Sequence, residues 1–179
     1  MEALKPFQKI IKVFEVGFGT GLNAFLTFQE TKKRDIIIDY TAIELYPPEK
    51  TILEDLSQTF PFLSDISIFK ALHQYDRKQN TKISDAFSLT KIYDNILTTS
   101  IGEEYDIVYF DAFSPNAQPE LWTEEVFKKL YDAMYHGGLL TTYCAKGDVR
   151  RNMLKAGFTV ERLPGLPPKR EMLRAWKII

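Results

Sequence analysis

Three glycines at alternate positions can bring the backbone into close contact with a nucleotide. Gly17, Gly19 and Gly21 lie in the run Glu15-Val-Gly-Phe-Gly-Thr-Gly21, and glycine allows a tight turn and a close approach to a ligand because it lacks Cβ. An apolar strand pattern precedes this run and a helical pattern follows it, so the first N–H groups of that helix would point at the bound group. The run is therefore typical of a loop that binds a nucleotide cofactor.

The spacing of the glycines separates two classes of nucleotide loop. Dinucleotide-binding proteins carry G-x-G-x-x-G after the first strand, whereas the order here is E-x-G-x-G-x-G. This second form resembles the S-adenosylmethionine loop of Rossmann-like methyltransferases. A glycine-rich turn without a ligand is the alternative, but strand, loop and helix follow one another in the order that cofactor binding requires.

Acids end further predicted strands, at the edge where open α/β sheets bind their ligands. Glu44 follows Gly21 by 23 residues and can accept hydrogen bonds from both hydroxyls of a ribose, which would suit NAD equally well. Asp94 is expected to accept a hydrogen bond from a purine amine, or else to stabilise a turn. These two positions predict a site for the nucleoside part of the cofactor.

Asp111 is the candidate catalytic residue. It follows the predicted strand 105–110, where a transferred methyl group would meet its acceptor, and positioning supplies much of the acceleration of an in-line displacement. An ammonium acceptor has no lone pair, so a carboxylate that orients the amine and accepts its proton suits methylation of nitrogen. A strand-end Asp that only caps the loop is the alternative, since Ser114, Pro115 and Asn116 indicate a formed turn.

Strand and helix patterns alternate along the chain, which predicts an α/β fold with a mostly parallel sheet and helices on both faces. The last two strands follow each other without a helix, so they must form an antiparallel hairpin. This order matches the seven-stranded, Rossmann-like class I methyltransferase fold. The expected strands are 13–16, 36–44, 87–92, 105–110, 139–144, 158–163 and 172–178, with a helix after Gly21, a second opened by Pro47, a third from Thr123 to Gly137 and a fourth from about Asp148 to Gly157, and with residues 62–86 unassigned.

Composition limits the class of protein. With 179 residues, 45% of them hydrophobic, the chain is expected to form one domain over residues 1–179. No transmembrane run or signal peptide is evident, and the lone Cys144 cannot form an internal disulfide, so a reducing cytoplasm without a membrane partner is the simplest location. Cys144 is expected to pack in the core, and neither His73 nor His136 indicates a metal site.

Charge is distributed unevenly along the chain. Residues 144–179 hold nine Lys or Arg against three acids, which leaves a net charge of −7 on the remainder. If these cations lie on one face, they would supply the sequence-independent part of an affinity for nucleic-acid phosphates. A solvated surface with mixed charges is the alternative.

Several motifs match one family in the same order. They are Glu15-Val-Gly-Phe-Gly-Thr-Gly-Leu-Asn23, Phe110-Asp-Ala-Phe-Ser-Pro115, Pro119-Glu-Leu-Trp122, Val149-Arg-Arg151, Ala156-Gly-Phe158 and Lys169-Arg-Glu-Met172. From about residue 11 to its C-terminus, the chain resembles the methyltransferase part of the bacterial family of tRNA 5-methylaminomethyl-2-thiouridine biosynthesis proteins, the MnmC type.

The resemblance implies methyl transfer from S-adenosylmethionine to the primary amine of 5-aminomethyl-2-thiouridine at the tRNA wobble position, with S-adenosylhomocysteine as product. It implies cofactor contacts from Glu15, Gly17, Phe18, Gly19, Gly21, Asn23, Glu44 and Asp94. The tRNA anticodon stem-loop would contact Phe113, Pro115, Trp122, Lys169 and Arg170. Phe113 and Trp122 would stack on a splayed base, although core packing is an equal alternative for Trp122.

The resemblance also bears on what the chain lacks. The bifunctional relatives carry a fused flavin oxidase, for which this chain has no room, so no flavin and no metal are expected and another enzyme must supply the aminomethyl substrate. Relatives usually add an N-terminal segment beside the active site, whereas the first strand here begins by about residue 11. The substrate side is therefore expected to be less complete than the cofactor side.

Three other functions remain open. An NAD-dependent oxidoreductase is disfavoured by the glycine spacing and by the terminal hairpin. A non-catalytic module would bind S-adenosylhomocysteine and RNA without transferring methyl. A small-molecule amine methyltransferase would use the same cofactor with a different acceptor.

Overall fold

The computed structural model describes residues 10–59, 65–74, 79–102, 104–165 and 171–178. The strands in these ranges are β1 (Ile10–Val16), β2 (Ile37–Ile43), β3 (Thr81–Ser84), β4 (Phe87–Ile92), β5 (Tyr105–Phe110), β6 (Met134–Thr142), β7 (Thr159–Pro164) and β8 (Glu171–Trp176). The helices are α1 (Leu22–Thr31), α2 (Lys50–Thr59), α3 (Ile66–Gln74), α4 (Glu124–Ala133) and α5 (Gly147–Lys155), with a short 3-10 helix over Pro119–Trp122.

The strands form one sheet in the order β3-β4-β2-β1-β5-β6-β8-β7. The five strands from β4 to β6 are parallel, while β3 at one edge and the β7–β8 hairpin at the other run antiparallel to their neighbours. After β1 the chain builds outward through β2 and β4, then returns to place β5 on the other side of β1. Ligands bind at such a point of reversal in open α/β sheets.

The expected fold class is confirmed, and the sheet has one strand more than the sequence predicted. The additional strand, β3, has four residues, lies within the unassigned segment 62–86, and pairs with β4 in a shifted register. A strand this short carries too few alternating positions to produce a recognisable pattern. It extends the edge of the sheet away from β1 and β5 and so does not contribute to the central strand ends.

The boundary between α4 and β6 differs from the prediction. Thr123 caps α4 as expected, since its hydroxyl accepts a hydrogen bond from the N–H of Val126 at 3.4 Å. The helix ends at Ala133, and Gly137 lies inside β6 with φ of 81°. The glycine therefore marks an irregularity of the strand, where pairing with β5 shifts register, and the prediction that it ends the helix is wrong.

Buried side chains cover both faces of the sheet. On one face α4 and α5 pack against the sheet through Phe127, Leu130 and Met153, and on the other α1 and α3 pack through Phe25 and Leu72. Cys144 is 6% exposed and belongs to the first of these clusters, in agreement with the expected packing role. Among the described residues, no helix has the length and apolar character needed to cross a membrane.

Candidate active site

The glycine loop begins where β1 ends and packs against the end of β5. Gly17, Gly19 and Gly21 have φ of 88°, 50° and 72°, which lie in a left-handed region of backbone conformation that residues other than glycine rarely adopt. A Cβ on Gly17 would lie 2.6 Å from the backbone oxygen of Asp111, whereas a Cβ on Gly19 would meet nothing within 4 Å. The loop is thus closed on the side of β5 and open at Gly19, where a ligand can approach.

A cleft at the carboxyl ends of β1, β2, β4 and β5 has a volume of about 540 Å³, including the part that is open to solvent. The acids Glu44, Asp94 and Asp111 all line this cleft, together with Gly17 and Gly19, and we call it the cofactor cleft after the ligand that the sequence predicts for it. The structure therefore brings together residues that lie up to 94 positions apart in the sequence. Sequence reasoning did not name eight further lining residues, which are Val16, Ile43, Leu45, Asn95, Ile96, Ala112, Gln118 and Leu121.

Glu44 holds the glycine loop as well as lining the cleft. Its Oε2 accepts a hydrogen bond from the N–H of Gly19 at 2.9 Å, and its Oε1 accepts one from the N–H of Tyr46 at 2.8 Å. A carboxylate has about four lone-pair sites, so both oxygens retain capacity for the hydroxyls of a ribose. Glu44 can therefore fix the loop and a bound nucleoside together.

Asp94 opens an irregular segment between β4 and β5 that α4 holds in place. Asp94 Oδ1 accepts a hydrogen bond from the N–H of Asn95 at 2.8 Å. Lys129 of α4 donates from Nζ to the backbone oxygens of Ile96 at 2.6 Å and Thr99 at 2.5 Å. We call residues 94–99 the purine loop, because Asp94 was expected to meet a purine amine.

Asp111 follows β5 directly and has an exposed side chain. Its backbone N–H donates to the oxygen of Val16 at 2.9 Å, which ties the end of β5 to the end of β1. Its Oδ2 accepts a hydrogen bond from Asn23 Nδ2 at 3.0 Å, and the same Nδ2 donates to Glu15 Oε1 at 2.8 Å. Asn23, in the first turn of α1, therefore joins two carboxyl groups.

The side chains of Glu15 and Phe18, for which the resemblance implies cofactor contacts, are both buried. Glu15 is 0% exposed and Phe18 is 5% exposed. The Phe18 ring meets the His73 ring edge-on at 5.6 Å, and His73 Nε2 lies 3.0 Å from the oxygen of Thr20. Burial lowers the pKa of His73 to about 4, so the imidazole is neutral at pH 7. These side chains are in place to support the loop from inside the protein.

Phe113 and Trp122 have opposite environments. The Phe113 side chain is 61% exposed beside the cleft, whereas Trp122 is 3% exposed. Trp122 Nε1 donates to the backbone oxygen of Phe113 at 2.9 Å, and its ring packs edge-on against Phe110 at 4.8 Å. This arrangement favours the core-packing alternative for Trp122, which supports the Phe113 segment from below. Pro115 lies half-buried in the same segment.

Most of the described cations near the C-terminus have partners within the chain. Lys146, next to the site, donates to Asn116 Oδ1 at 2.6 Å, and Lys177 donates to the oxygen of Met134 at 2.8 Å. Four others form ion pairs with acids: Arg151 with Asp148, Lys155 with Glu124, Arg162 with Glu171, and Arg174 with Glu161. Lys169 and Arg170 lie outside the described residues. The described cations therefore agree better with a mixed-charge surface than with a single basic face.

The sequence of the chain is similar to known methyltransferase proteins. A family described as S-adenosyl-L-methionine-dependent methyltransferase matches residues 67–178. The tRNA 5-methylaminomethyl-2-thiouridine biosynthesis bifunctional protein MnmC of Leptospira borgpetersenii serovar Hardjo-bovis is 32% identical over 171 residues, which cover 90% of this chain and 26% of that protein. The protein of the same name from Campylobacter hominis is 29% identical over 178 residues, with 98% and 26% covered. This chain thus spans about a quarter of the length of these relatives.

The fold has a similar counterpart among solved structures. The crystal structure of MNMC2 from Aquifex aeolicus matches with a TM-score of 0.75 and 22% identity, covering 94% of this chain and 54% of that one. The sequence match, the Rossmann-like sheet and the cleft at the end of β1 all indicate the same fold. The chain belongs to the family of S-adenosyl-L-methionine-dependent methyltransferases.

Proposed function

We propose that the protein transfers a methyl group to the primary amine of 5-aminomethyl-2-thiouridine at the tRNA wobble position. The observation that carries this proposal is the place of Asp111, which lines the cofactor cleft and is also exposed to an incoming acceptor. The substrate is suggested by the relatives, whose name specifies biosynthesis of 5-methylaminomethyl-2-thiouridine in tRNA. Methylation of the aminomethyl nitrogen is the reaction that yields this methylaminomethyl group.

The residues of the cleft fit S-adenosylmethionine. Gly19 leaves open space beside the loop, Glu44 retains acceptor capacity for the ribose hydroxyls, and Asp94 lines the cleft where a purine amine would donate. The bound cofactor supplies a methyl group made electrophilic by its sulfonium sulfur.

Asp111 is proposed to act on the acceptor. Its carboxylate would accept a hydrogen bond from the aminomethyl nitrogen, orient that nitrogen and take up the proton that must leave before the lone pair can attack. The exposed side chain can then pass the proton to water. Alignment of the nitrogen with the methyl carbon requires a fixed carboxylate, because in-line displacement is sensitive to position.

The RNA contacts are proposed from the surface around Asp111. Phe113 offers an exposed ring on which a splayed base can stack, and Pro115 lies beside it. Lys169 and Arg170 are proposed to contact the backbone of the anticodon stem-loop. We further propose that the described residues form one methyltransferase domain that acts in the cytoplasm, and that its methyl transfer needs neither flavin nor metal.

The experiment is methyl transfer from labelled S-adenosylmethionine to tRNA that carries 5-aminomethyl-2-thiouridine, followed by mass spectrometry of the nucleosides. The expected result is a new methylaminomethyl nucleoside that is absent with Asp111→Ala. Binding of S-adenosylhomocysteine and tRNA without product would contradict the proposed activity and favour a non-catalytic module. Product from small amines, but none from the tRNA, would replace the proposed acceptor.

A further inference from the structure

Glu15 is a buried acid to which the proposed chemistry assigns no contact. Its side chain has no solvent exposure and lies beneath the glycine loop, on the same face of β1 as Val13. A buried carboxyl needs hydrogen-bond partners, because a polar group removed from water without them costs stability.

Asn23 provides one partner and contacts a second acid at the same time. Its Nδ2 donates to Glu15 Oε1 at 2.8 Å and to Asp111 Oδ2 at 3.0 Å. The two hydrogens of an amide nitrogen diverge within one plane. When one hydrogen is directed at the immobile Glu15, the direction of the other hydrogen is therefore fixed as well.

The ionisation state of Glu15 suits this arrangement. Burial raises the pKa of Glu15 to about 8, against the lowering effect of the hydrogen bond from Asn23, so the carboxyl is mostly neutral at pH 7. It therefore adds little negative charge beside Asp111. Burial first, and then the neighbouring Glu15 carboxyl, raise the pKa of the Tyr40 hydroxyl well above its usual value.

The backbone on both sides of the amide is also held. Asn23 lies in the first turn of α1, where its backbone oxygen accepts a hydrogen bond from the Thr27 hydroxyl at 2.7 Å. Glu15 pairs with the central strands on both sides of β1. The exposed Asp111 side chain is the mobile member of the set, since exposed side chains change rotamer within nanoseconds.

We propose that Glu15 and Asn23 are positioning residues for Asp111: the buried carboxyl orients the amide, and the amide selects the rotamer of the Asp111 carboxylate. The inference rests on the proposed role of Asp111 in methylation of the acceptor. The cofactor contacts that the resemblance implies for Glu15 and Asn23 stay predictions beside this role. Loss of the amide should displace the acceptor nitrogen while leaving the cofactor cleft intact.

The first test is kinetic and uses Asn23→Ala, the isosteric Asn23→Asp, and Asn80→Ala. Asn80 donates to Asp39 at 3.1 Å far from the cleft, so its replacement is a matched control. Both Asn23 variants are expected to lose turnover by roughly 100-fold, the cost of a misplacement of about 1 Å. Their KM for tRNA and affinity for S-adenosylhomocysteine should change less than about threefold. An equal loss of cofactor affinity, or unchanged kcat, would overturn the proposal.

The buried acid is tested by a conservative pair. Glu15→Gln keeps an oxygen that can accept from Asn23, whereas Glu15→Ala removes it. Glu15→Gln should therefore lose far less turnover than Glu15→Ala, with both proteins compared at equal folded fractions by circular dichroism. Equal losses in the two variants would show that Glu15 acts only through packing.

A second measurement does not depend on activity. The two side-chain amide protons of Asn23 can be identified by nitrogen–proton NMR from their loss in Asn23→Ala. Glu15→Ala is expected to shift one of them and Asp111→Ala the other. If neither side-chain amide proton of Asn23 changes its chemical shift in Asp111→Ala, the positioning contact is refuted. If both shifts occur but wild-type protein modifies no tRNA, the contact stands and the proposed function has failed.

Discussion

Gly17 and the backbone of Asp111 are in such close contact that no side chain fits between them. A Cβ on Gly17 would lie 2.6 Å from the oxygen and 3.0 Å from the carbonyl carbon of Asp111. These are main-chain atoms of a paired strand end, and they cannot move aside as a flexible side chain can. The loop that would bind the cofactor and the acid that would meet the acceptor therefore share one backbone contact.

Gly17→Ala tests this contact. The variant should lose roughly 2–5 kcal/mol of unfolding free energy, from the left-handed backbone and from overpacking against Asp111. Gly137→Ala is the matched control, because Gly137 has φ of 81° with nothing within 4 Å of its Cβ position, and it should lose only about 1–2 kcal/mol. Urea denaturation measures both. Equal losses would mean that the backbone of β5 yields to the added methyl group.

Asp111→Asn tests whether Asp111 acts by taking up a proton or only through the shape of its side chain. The amide retains an oxygen that can accept from Asn23, but it cannot take up a proton, so turnover should fall by at least roughly 100-fold. Calorimetric affinity for S-adenosylhomocysteine should stay within about threefold of wild type. Asp85→Ala, at an exposed turn paired with Lys82, is the control for loss of an acid. If cofactor affinity falls as far as turnover does, Asp111 holds the cofactor instead.

Lys129→Met tests the support of the purine loop. The change removes two charge-assisted hydrogen bonds to backbone oxygens, each worth about 1.5–3 kcal/mol, and should weaken S-adenosylhomocysteine binding roughly tenfold or more. Lys128→Met is the adjacent control, since Lys128 forms an exposed ion pair with Asp132 one helical turn away, an arrangement worth about 0.3–0.5 kcal/mol. Equal affinity in the two variants would show that the loop keeps its form without Lys129.

The pH dependence of stability should report the buried Glu15. Its pKa rises from 4.5 to about 8 on folding, so the folded state binds a proton that the unfolded state has released. Stability from this group is full below pH 4.5 and is lost as pH rises through 8, with a slope of at most about 1.4 kcal/mol per pH unit. Burial lowers the pKa of His73 from 6.5 to about 4, so this group makes stability rise with pH between pH 4 and 6.5.

The interval from pH 6.5 to 8 therefore isolates Glu15 from His73. Wild type should lose unfolding free energy across this interval relative to Glu15→Gln, which cannot titrate. Urea titrations of both proteins at several pH values measure the difference. Parallel stability curves would mean that Glu15 is ionised in the folded protein or that water reaches its carboxyl.

The sequence was sufficient to predict features of the site that depend on local patterns of residues. Glycines placed after an apolar strand, and acids at the ends of Ile37–Ile43 and Tyr105–Phe110, predicted that these residues meet in one cleft, because parallel strands end at a common edge. Burial of Glu15 had a local signal too, since it shares a face of β1 with Val13. The cofactor contact that the resemblance implies for Glu15 stays a prediction.

Contacts between distant segments could not be predicted in this way. Lys129 lies 33 residues from Ile96, and nothing in either segment specifies that the lysine supports the purine loop. His73 packs under the glycine loop from a segment that had no assigned structure. Trp122 had two equal interpretations, which only its 3% exposure and its hydrogen bond to Phe113 distinguish.

Helix α4 joins the two sides of the site. Its Lys129 holds the purine loop, while the 3-10 helix immediately before it carries Trp122, which holds Phe113. A shift of this continuous stretch of chain would therefore move the purine loop and the Phe113 segment together. Any binding free energy that such a shift couples between the two sides is reciprocal, so ligands on the two sides would change each other's affinity by the same factor.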